Sequence, residues 1–504
     1  MSSRSQNNPE VTTDSNDEFS PENTSLTGQH WGDDNIISSN KASLIINKNY
    51  GSISKEKSLN EDKNKFGGIF SLLHNKESEI SIATEKSTAA SSAPIHALFN
   101  LCKVFVGIGI LTGPYAMSHC GIILGIFGVT FAGLMSLYSI NIQAQTRHKL
   151  ENMVNIHFQN QMRNQEGGNF ENHYIDDSMM SQIEPIEIKI NNYSELGRAA
   201  FGKKGYIFVS ICLFLQQMWS VTAYFSFIKN YIPITFALSI VIPFWLFWNI
   251  KKISYLSLFS LSAITSALML VLYHSVEHID AVPKTDLKYF DIMNFPYFFG
   301  VSIFIFEGNC ASLQIEASMK DPKKFKSISV IGILFVIILN CIVSALAYTS
   351  YVETIKDVVL FNLPPNIIST FIRISYSLGL IFSIPIQISP MVDIMYRSQF
   401  LDDYIKPFRE TPKIKYYISV LIILISWVLF ALFIPCLQMF INFSGSLVGI
   451  FTLSIIPTLC YNKAFKDEIS WKRWSIHLGM MVIMSIAGWL SLYYSYLFIK
   501  NGKE

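Results

Sequence analysis

Two short segments hold groups that a lipid interior does not favour. Residues 100–115, NLCKVFVGIGILTGPY, set Lys103 one helical turn before Gly107 and then add Gly109, Gly113 and Pro114. Residues 295–312, FPYFFGVSIFIFEGNCAS, interrupt an apolar run with Glu307, Gly308 and Asn309. Three glycines and a proline within eight residues are poor material for a continuous helix. An opened backbone inside a membrane exposes N–H and C=O groups. Half-helix N-termini favour a carboxylate, and freed carbonyls favour a cation. An amino acid needs both, so Gly107, Ile108, Gly109 and Thr112 of the first segment and Phe304, Phe306, Glu307 and Gly308 of the second are candidate substrate-binding residues. Glu307 is the one acid in mid-span; it can hold an ammonium group or relay a proton, or be tied to backbone N–H groups at the break. Each break taken alone reads equally well as a glycine-rich packing kink.

The elements around these segments are apolar. Of 504 residues half are hydrophobic and 15% charged, with mean hydropathy +0.33 and a net charge of +2. Soluble domains average about 25% charged residues, so this is a membrane composition. The charge balance excludes a basic nucleic-acid binder. Seven cysteines occur singly, with no zinc spacing or disulfide framework. No catalytic triad, phosphate loop or dinucleotide fingerprint occurs, so neither an enzyme nor a cofactor is expected.

Runs of about 20 apolar residues, enough for a spanning helix, recur from residue 95 on. Eleven spans are predicted, at about 95–117, 121–143, 206–228, 231–248, 253–276, 296–318, 328–350, 367–391, 416–434, 437–461 and 476–498. The fold class is an all-α polytopic membrane protein. Residues 1–94 read as a disordered cytoplasmic tail, 95–498 as the transmembrane domain, 145–192 as a mobile cytoplasmic loop within it, and 499–504 as a short C-terminal tail. Residues 193–204, YSELGRAAFGKK, read as a short amphipathic lead-in to span 3.

Basic residues crowd the loops on one side, among them Lys251, Lys252, Lys320, Lys323, Lys324, Lys326 and Arg397. The other side has Lys229, Lys284, Lys288 and Lys356 and the terminal Lys500 and Lys503. The positive-inside rule then puts the N-terminus in the cytoplasm and the C-terminus outside or in a lumen. Near the inner end of span 6, Glu316 is placed to pair with Lys320 (i, i+4).

The two breaks lie 200 residues apart, in the first span of each five-span block. Five is odd, so the blocks are inverted. Paired interrupted helices at matching positions of inverted repeats point to a secondary transporter site.

On these motifs the chain resembles the amino acid/auxin permease family, closest to its proton-coupled amino acid transporter branch. Lys103–Pro114, K-x3-G-x-G-I-L-x-x-P, is similar to that branch's first helix, and residues 296–325 resemble its sixth helix and following loop. YSELGRAAFGKKG, Ser383–Pro390 and Phe443–Gly449 add weaker similarity. The resemblance implies a LeuT-like fold of five plus five inverted helices and one extra, with helices 1 and 6 broken, and amino acid transport by alternating access. It also puts span 3 across from the two breaks, which makes Tyr224 a candidate to cover the substrate. In sodium-coupled branches the Lys103 region and a span 8 residue, here Ser383, supply sodium ligands. A lysine there replaces the ion's charge and, when buried, can gain and lose a proton near neutrality. Lys103, Ser383 and Glu307 are therefore the ion-coupling candidates. Where the family usually has Leu-Pro after the sixth-helix break, this chain has Leu313-Gln314.

The partners expected are an amino acid, neutral or aromatic given the apolar wall of Phe105, Ile108, Phe304 and Phe306, together with protons and the bilayer, and no nucleic acid. Two other readings are an amino-acid-sensing transceptor that signals through its tail, and a carrier of a non-amino-acid amine or cationic compound. The membrane is either the plasma membrane or that of an acidic vacuole or lysosome-like compartment.

Overall fold

The computed structural model describes residues 93–166, 189–231, 238–248, 253–280, 283, 285–396, 412–433 and 437–500. The N-terminal tail, the loop beyond residue 166 and residues 501–504 lie outside them. The described residues are helical almost throughout, as lipid requires, because a helix satisfies its own backbone hydrogen bonds. In chain order they form α1 (Pro94–Phe105), α2 (Ile108–Cys120), α3 (Ile122–Glu166), α4 (Tyr193–Tyr231), α5 (Leu238–Trp248), α6 (Ile253–His278), α7 (Phe295–Ile305), α8 (Ser312–Ala317), α9 (Phe325–Tyr351), α10 (Ile367–Tyr396), α11 (Pro412–Leu432), α12 (Leu437–Ser444), α13 (Ile456–Ala464) and α14 (Trp471–Lys500). Among the described residues eight helices or helix runs are long and apolar enough to cross a membrane, and the bent pair α1–α2 makes a ninth. Predicted spans 4 and 9 are represented by the shorter apolar helices α5 and Tyr417–Leu432 of α11.

α1 opens on Pro94, which loses nothing at a helix start because that N–H has no partner there anyway. α1 and α2 meet at a 46° bend across Val106 and Gly107. The sixth predicted span is three pieces: α7, a 3-10 turn over Glu307–Ala311, and α8. Gly202 leaves the helical path inside α4 with φ 70°, a region open to glycine, so the lead-in Tyr193–Phe201 turns away from the span that follows.

α3 departs from expectation. The sequence reading begins a mobile loop at residue 145, yet α3 is 45 residues long, about 65 Å at 1.5 Å per residue. A bilayer core takes about 20 residues, so the helix from about residue 144 onward stands beyond the crossing. Nothing between Leu134 and Glu166 is glycine or proline, and no residue there stops the helix.

The tenth span also departs from a regular helix. Between α12 and α13 it widens into two consecutive π-turns, Gly445–Gly449 and Phe451–Ile455. The widening lets it lie backbone-to-backbone on α7. A β-carbon at Gly445 would overlap the carbonyl oxygen of Gly300, and one at Gly300 would overlap Asn442 Oδ1 and Ser446 Oγ. Beside this contact Asn442, Ser446, Ser491 and Ser495 bond one another, including Ser446 Oγ to Ser491 Oγ at 2.7 Å and Ser491 Oγ to Asn442 Oδ1 at 2.9 Å. Phe299, Ile303, Ile450, Leu453 and Met484 pack against the same seam.

This close approach gives a stability prediction. Gly445→Ala should cost about 1–3 kcal/mol or more through overpacking, read as a lower unfolding temperature of the detergent-purified protein. Gly479→Ala, where nothing lies within 4 Å of an added β-carbon, should leave that temperature unchanged.

Candidate functional site

The two interruptions touch each other. A β-carbon on Gly109 would lie 3.3 Å from Ile305 Cα and 3.4 Å from Phe304 Cδ1. One on Gly308 would overlap Val104 Cγ1 and lie 3.1 Å from the Val104 carbonyl. The Phe105 and Phe306 rings stand 6.1 Å apart between the breaks. Glycine at 109 and 308 is what allows the two opened backbones to share one level of the bundle.

Neighbouring spans supply the hydrogen bonds that the breaks lose. Gln216 Nε2 of α4 donates to the Glu307 carbonyl at 2.7 Å. Asn309 Nδ2 donates to Ser139 Oγ of α3 and to the Thr452 carbonyl in the second π-turn, both at 3.0 Å. Tyr193 Oη donates to the same Thr452 carbonyl at 3.0 Å. Ser312 Oγ donates to Gln143 Oε1 at 3.4 Å, and Gln143 Nε2 donates to Ser139 Oγ at 3.0 Å. Three segments, α4, α3 and the π-turned tenth span, therefore hold the sixth-span break in shape.

The candidate residues fall into three groups. Gly107, Ile108, Gly109, Phe304, Phe306, Glu307 and Gly308 gather at the paired breaks. Tyr224 joins them: its hydroxyl would be 3.3 Å from a β-carbon on Gly107. Thr112 lies one turn along α2 and donates to the Gly109 carbonyl at 3.0 Å, so it bonds its own helix. Ser383 is the third case. Its hydroxyl is 2.8 Å from Ser260 Oγ and donates to the Gly379 carbonyl at 3.0 Å, tying α10 to α6 rather than bonding Lys103.

Lys103 and Glu307 stand apart in another way. The Lys103 ammonium and both Glu307 carboxylate oxygens are buried and make no hydrogen bond among the described residues. Ser220 and Gln216 approach the carboxylate without geometry that satisfies it. Burying a charge without partners is costly. These two groups, of opposite sign when ionised, stand open at the two touching breaks.

Some contributors were not visible in the sequence. Asn309 was read as part of the interruption, and the π-turns of span 10 were not foreseen; the glycine pair in FSGSLVG was their one trace. Tyr376 is wholly buried with its hydroxyl unbonded, and it lies near enough to Tyr224 for the two phenols to interact electrostatically. Arg373 donates to the Leu360 and Leu363 carbonyls at 3.2 and 2.7 Å.

Residues 90–499 match the family model described as transmembrane amino acid transporter protein. Amino acid transporter AVT3B of Arabidopsis thaliana is 24% identical over 432 residues, covering 80% of this chain and 93% of that protein. Vacuolar amino acid transporter 3 of Schizosaccharomyces pombe is 23% identical over 413 residues, covering 78% of this chain and 56% of that protein. A solved Na+-coupled sialic acid symporter in a substrate-bound outward-open state aligns with 80% of this chain and 97% of its own, at 12% identity and a TM-score of 0.42.

The support from span 3 can be tested directly. Gln216→Leu leaves the buried Glu307 carbonyl without its donor, which should cost about 1–3 kcal/mol. The expected result is a lowered unfolding temperature that Gln216→Asn does not fully restore, since its amide is one methylene short.

Proposed function

The chain belongs to the family of transmembrane amino acid transporter proteins, and from that premise we propose that it is a proton-coupled secondary carrier that moves neutral or aromatic amino acids by alternating access. It is a transporter rather than an enzyme. One observation carries the finer reading: a lysine ammonium and a glutamate carboxylate lie buried, with no hydrogen bond among the described residues, at two backbone breaks that touch.

The freed N–H groups at the start of α2, with the Tyr224 hydroxyl above them, suit a substrate carboxylate. Glu307 and the opened carbonyls of the 3-10 turn suit its ammonium group. Phe105, Ile108, Phe304 and Phe306, all buried, offer the side chain an apolar wall. Lys103 supplies a positive charge where a sodium-coupled carrier would hold an ion, and its proton, or that of Glu307, is the coupling species. Ser383 then acts in the coupling region by joining α10 to α6, one step removed from the charge.

The architecture proposed is eleven spans in a LeuT-like five-plus-five inverted repeat with one extra helix. The N-terminal tail, residues 1–94, lies in the cytosol and the C-terminus faces a lumen. Relatives in two yeasts are named vacuolar amino acid transporters, which supports an acidic vacuole as the compartment. Its proton gradient would drive amino acids outward to the cytosol.

The test is uptake of a labelled amino-acid mixture into sodium-free proteoliposomes, with and without an inward proton gradient. Uptake should rise with the gradient and collapse with an uncoupler. A charge-assisted bond is worth about 1.5–3 kcal/mol, so Glu307→Gln should weaken uptake roughly 10- to 100-fold. Lys103→Met should abolish the response to the gradient. Uptake that ignores protons but is restored by sodium contradicts the role given to Lys103. Uptake of amines in preference to amino acids favours the cationic-compound reading.

A further inference from the structure

One ionic cluster lies away from the breaks and has no part in the site just described. Glu316 is near the end of α8, the short last piece of the interrupted sixth span, and its side chain is 1% exposed. The pairing with Lys320 expected from i, i+4 spacing is not what holds it. α3 does: Arg147 Nη1 donates to one Glu316 oxygen at 3.2 Å, and His148 Nε2 lies 2.8 Å from the other. Arg147 also donates through Nε to Glu151 Oε1 at 3.0 Å. Glu151 in turn accepts from the backbone N–H of Ile190 at 2.7 Å, and its second oxygen lies 3.9 Å from His148 Nδ1.

These four side chains tie together three segments: α3 beyond its membrane crossing, the end of span 6, and the chain that leads into α4. Two carboxylates face one guanidinium, so the cluster carries one uncompensated negative charge while His148 is neutral and none when it is protonated. The His148 side chain is 49% exposed and so open to protons from solution, while the carboxylate it pairs with is sealed at 1%.

We infer that Arg147, His148 and Glu151 are positioning residues of the transport cycle, which clamp the inner end of span 6 through Glu316, and that a cytosolic proton on His148 tightens this clamp and slows the carrier. The inference rests on the transport reading and the orientation proposed above. α8 is six residues long, and alternating access requires elements at the site to move. Held at Glu316, α8 cannot swing away from α3.

The charged groups acting on His148 are Glu316 from α8 and Arg147 and Glu151 from its own helix. The hydrogen bond to Glu316 is the largest influence; it holds the imidazolium above the ordinary histidine range, against partial burial and Arg147. A group held higher in the clamped form stabilises that form when protonated. The extra stability is complete below the ordinary histidine value near 6.5 and is lost as pH rises through the raised one. The clamp therefore loosens at a neutral cytosolic face and tightens as that face acidifies. A carrier that delivers protons with its substrate would be slowed by its own product.

The experiment compares the full wild-type chain with His148→Gln, which keeps a donor but does not titrate. The first readout is exchange of a labelled amino-acid mixture across proteoliposomes at equal pH on both sides. The ratio of wild-type to variant exchange should fall several-fold between pH 7.5 and 6.0; a constant ratio overturns the inference. The second readout is backbone hydrogen exchange of the peptide over residues 190–200, scaled for intrinsic rates. Wild type should gain protection at pH 6.0 relative to the variant, and equal protection overturns the clamp. If neither protein exchanges amino acids, the transport reading fails while hydrogen exchange still decides the clamp.

Discussion

Lipid offers no hydrogen bonds, so a helix that opens inside a membrane must find new partners within the protein. Most of what distinguishes this structure follows from that constraint. The chain opens at Gly107 and again over Glu307–Ala311, and three other segments close around the second opening. Gln216 of α4 takes the Glu307 carbonyl, Ser139 and Gln143 of α3 bond Asn309 and Ser312, and the π-turned tenth span offers its Thr452 carbonyl to Asn309 and Tyr193. The π-turns answer the same need in reverse. They release backbone carbonyls where polar side chains are waiting, and they bring Gly445 against Gly300.

Against that background the exceptions are the groups on which the proposed function rests. The backbone of the second break finds a donor in Gln216, yet among the described residues the Lys103 ammonium and the Glu307 carboxylate find none. A bundle that can bring Gln216, Asn309 and Tyr193 to its carbonyls could place a partner for a carboxylate too. A carrier needs unsatisfied groups at its site, because a substrate bound by groups already bonded to one another would gain nothing from binding.

Much of the site was legible because its signals are local. Gly107 falls at the bend between α1 and α2, although Gly109, Gly113 and Pro114 stay within α2, and Glu307-Gly308-Asn309 interrupts an apolar run where the helix tightens into a 3-10 turn. What was missed depends on distant partners. Glu316 meets Arg147 across 169 positions, and local spacing offered Lys320 instead. Ser383 looked free to serve Lys103, but Ser260, 123 positions away, claims its hydroxyl. The π-turns leave almost no local mark, since their stability comes from α7. α3 was read as loop after residue 144 because its composition is polar, although nothing in that stretch breaks a helix.

The central claim is that an amino acid and a proton meet at the unbonded pair. Calorimetry of the purified protein with an amino acid selected by uptake, repeated in buffers of different ionisation enthalpy, tests it most directly. If the account is right, the observed heat depends on the buffer, because binding takes up or releases a proton, and the dependence disappears in Lys103→Met or Glu307→Gln. Tight binding with the same heat in every buffer would contradict it.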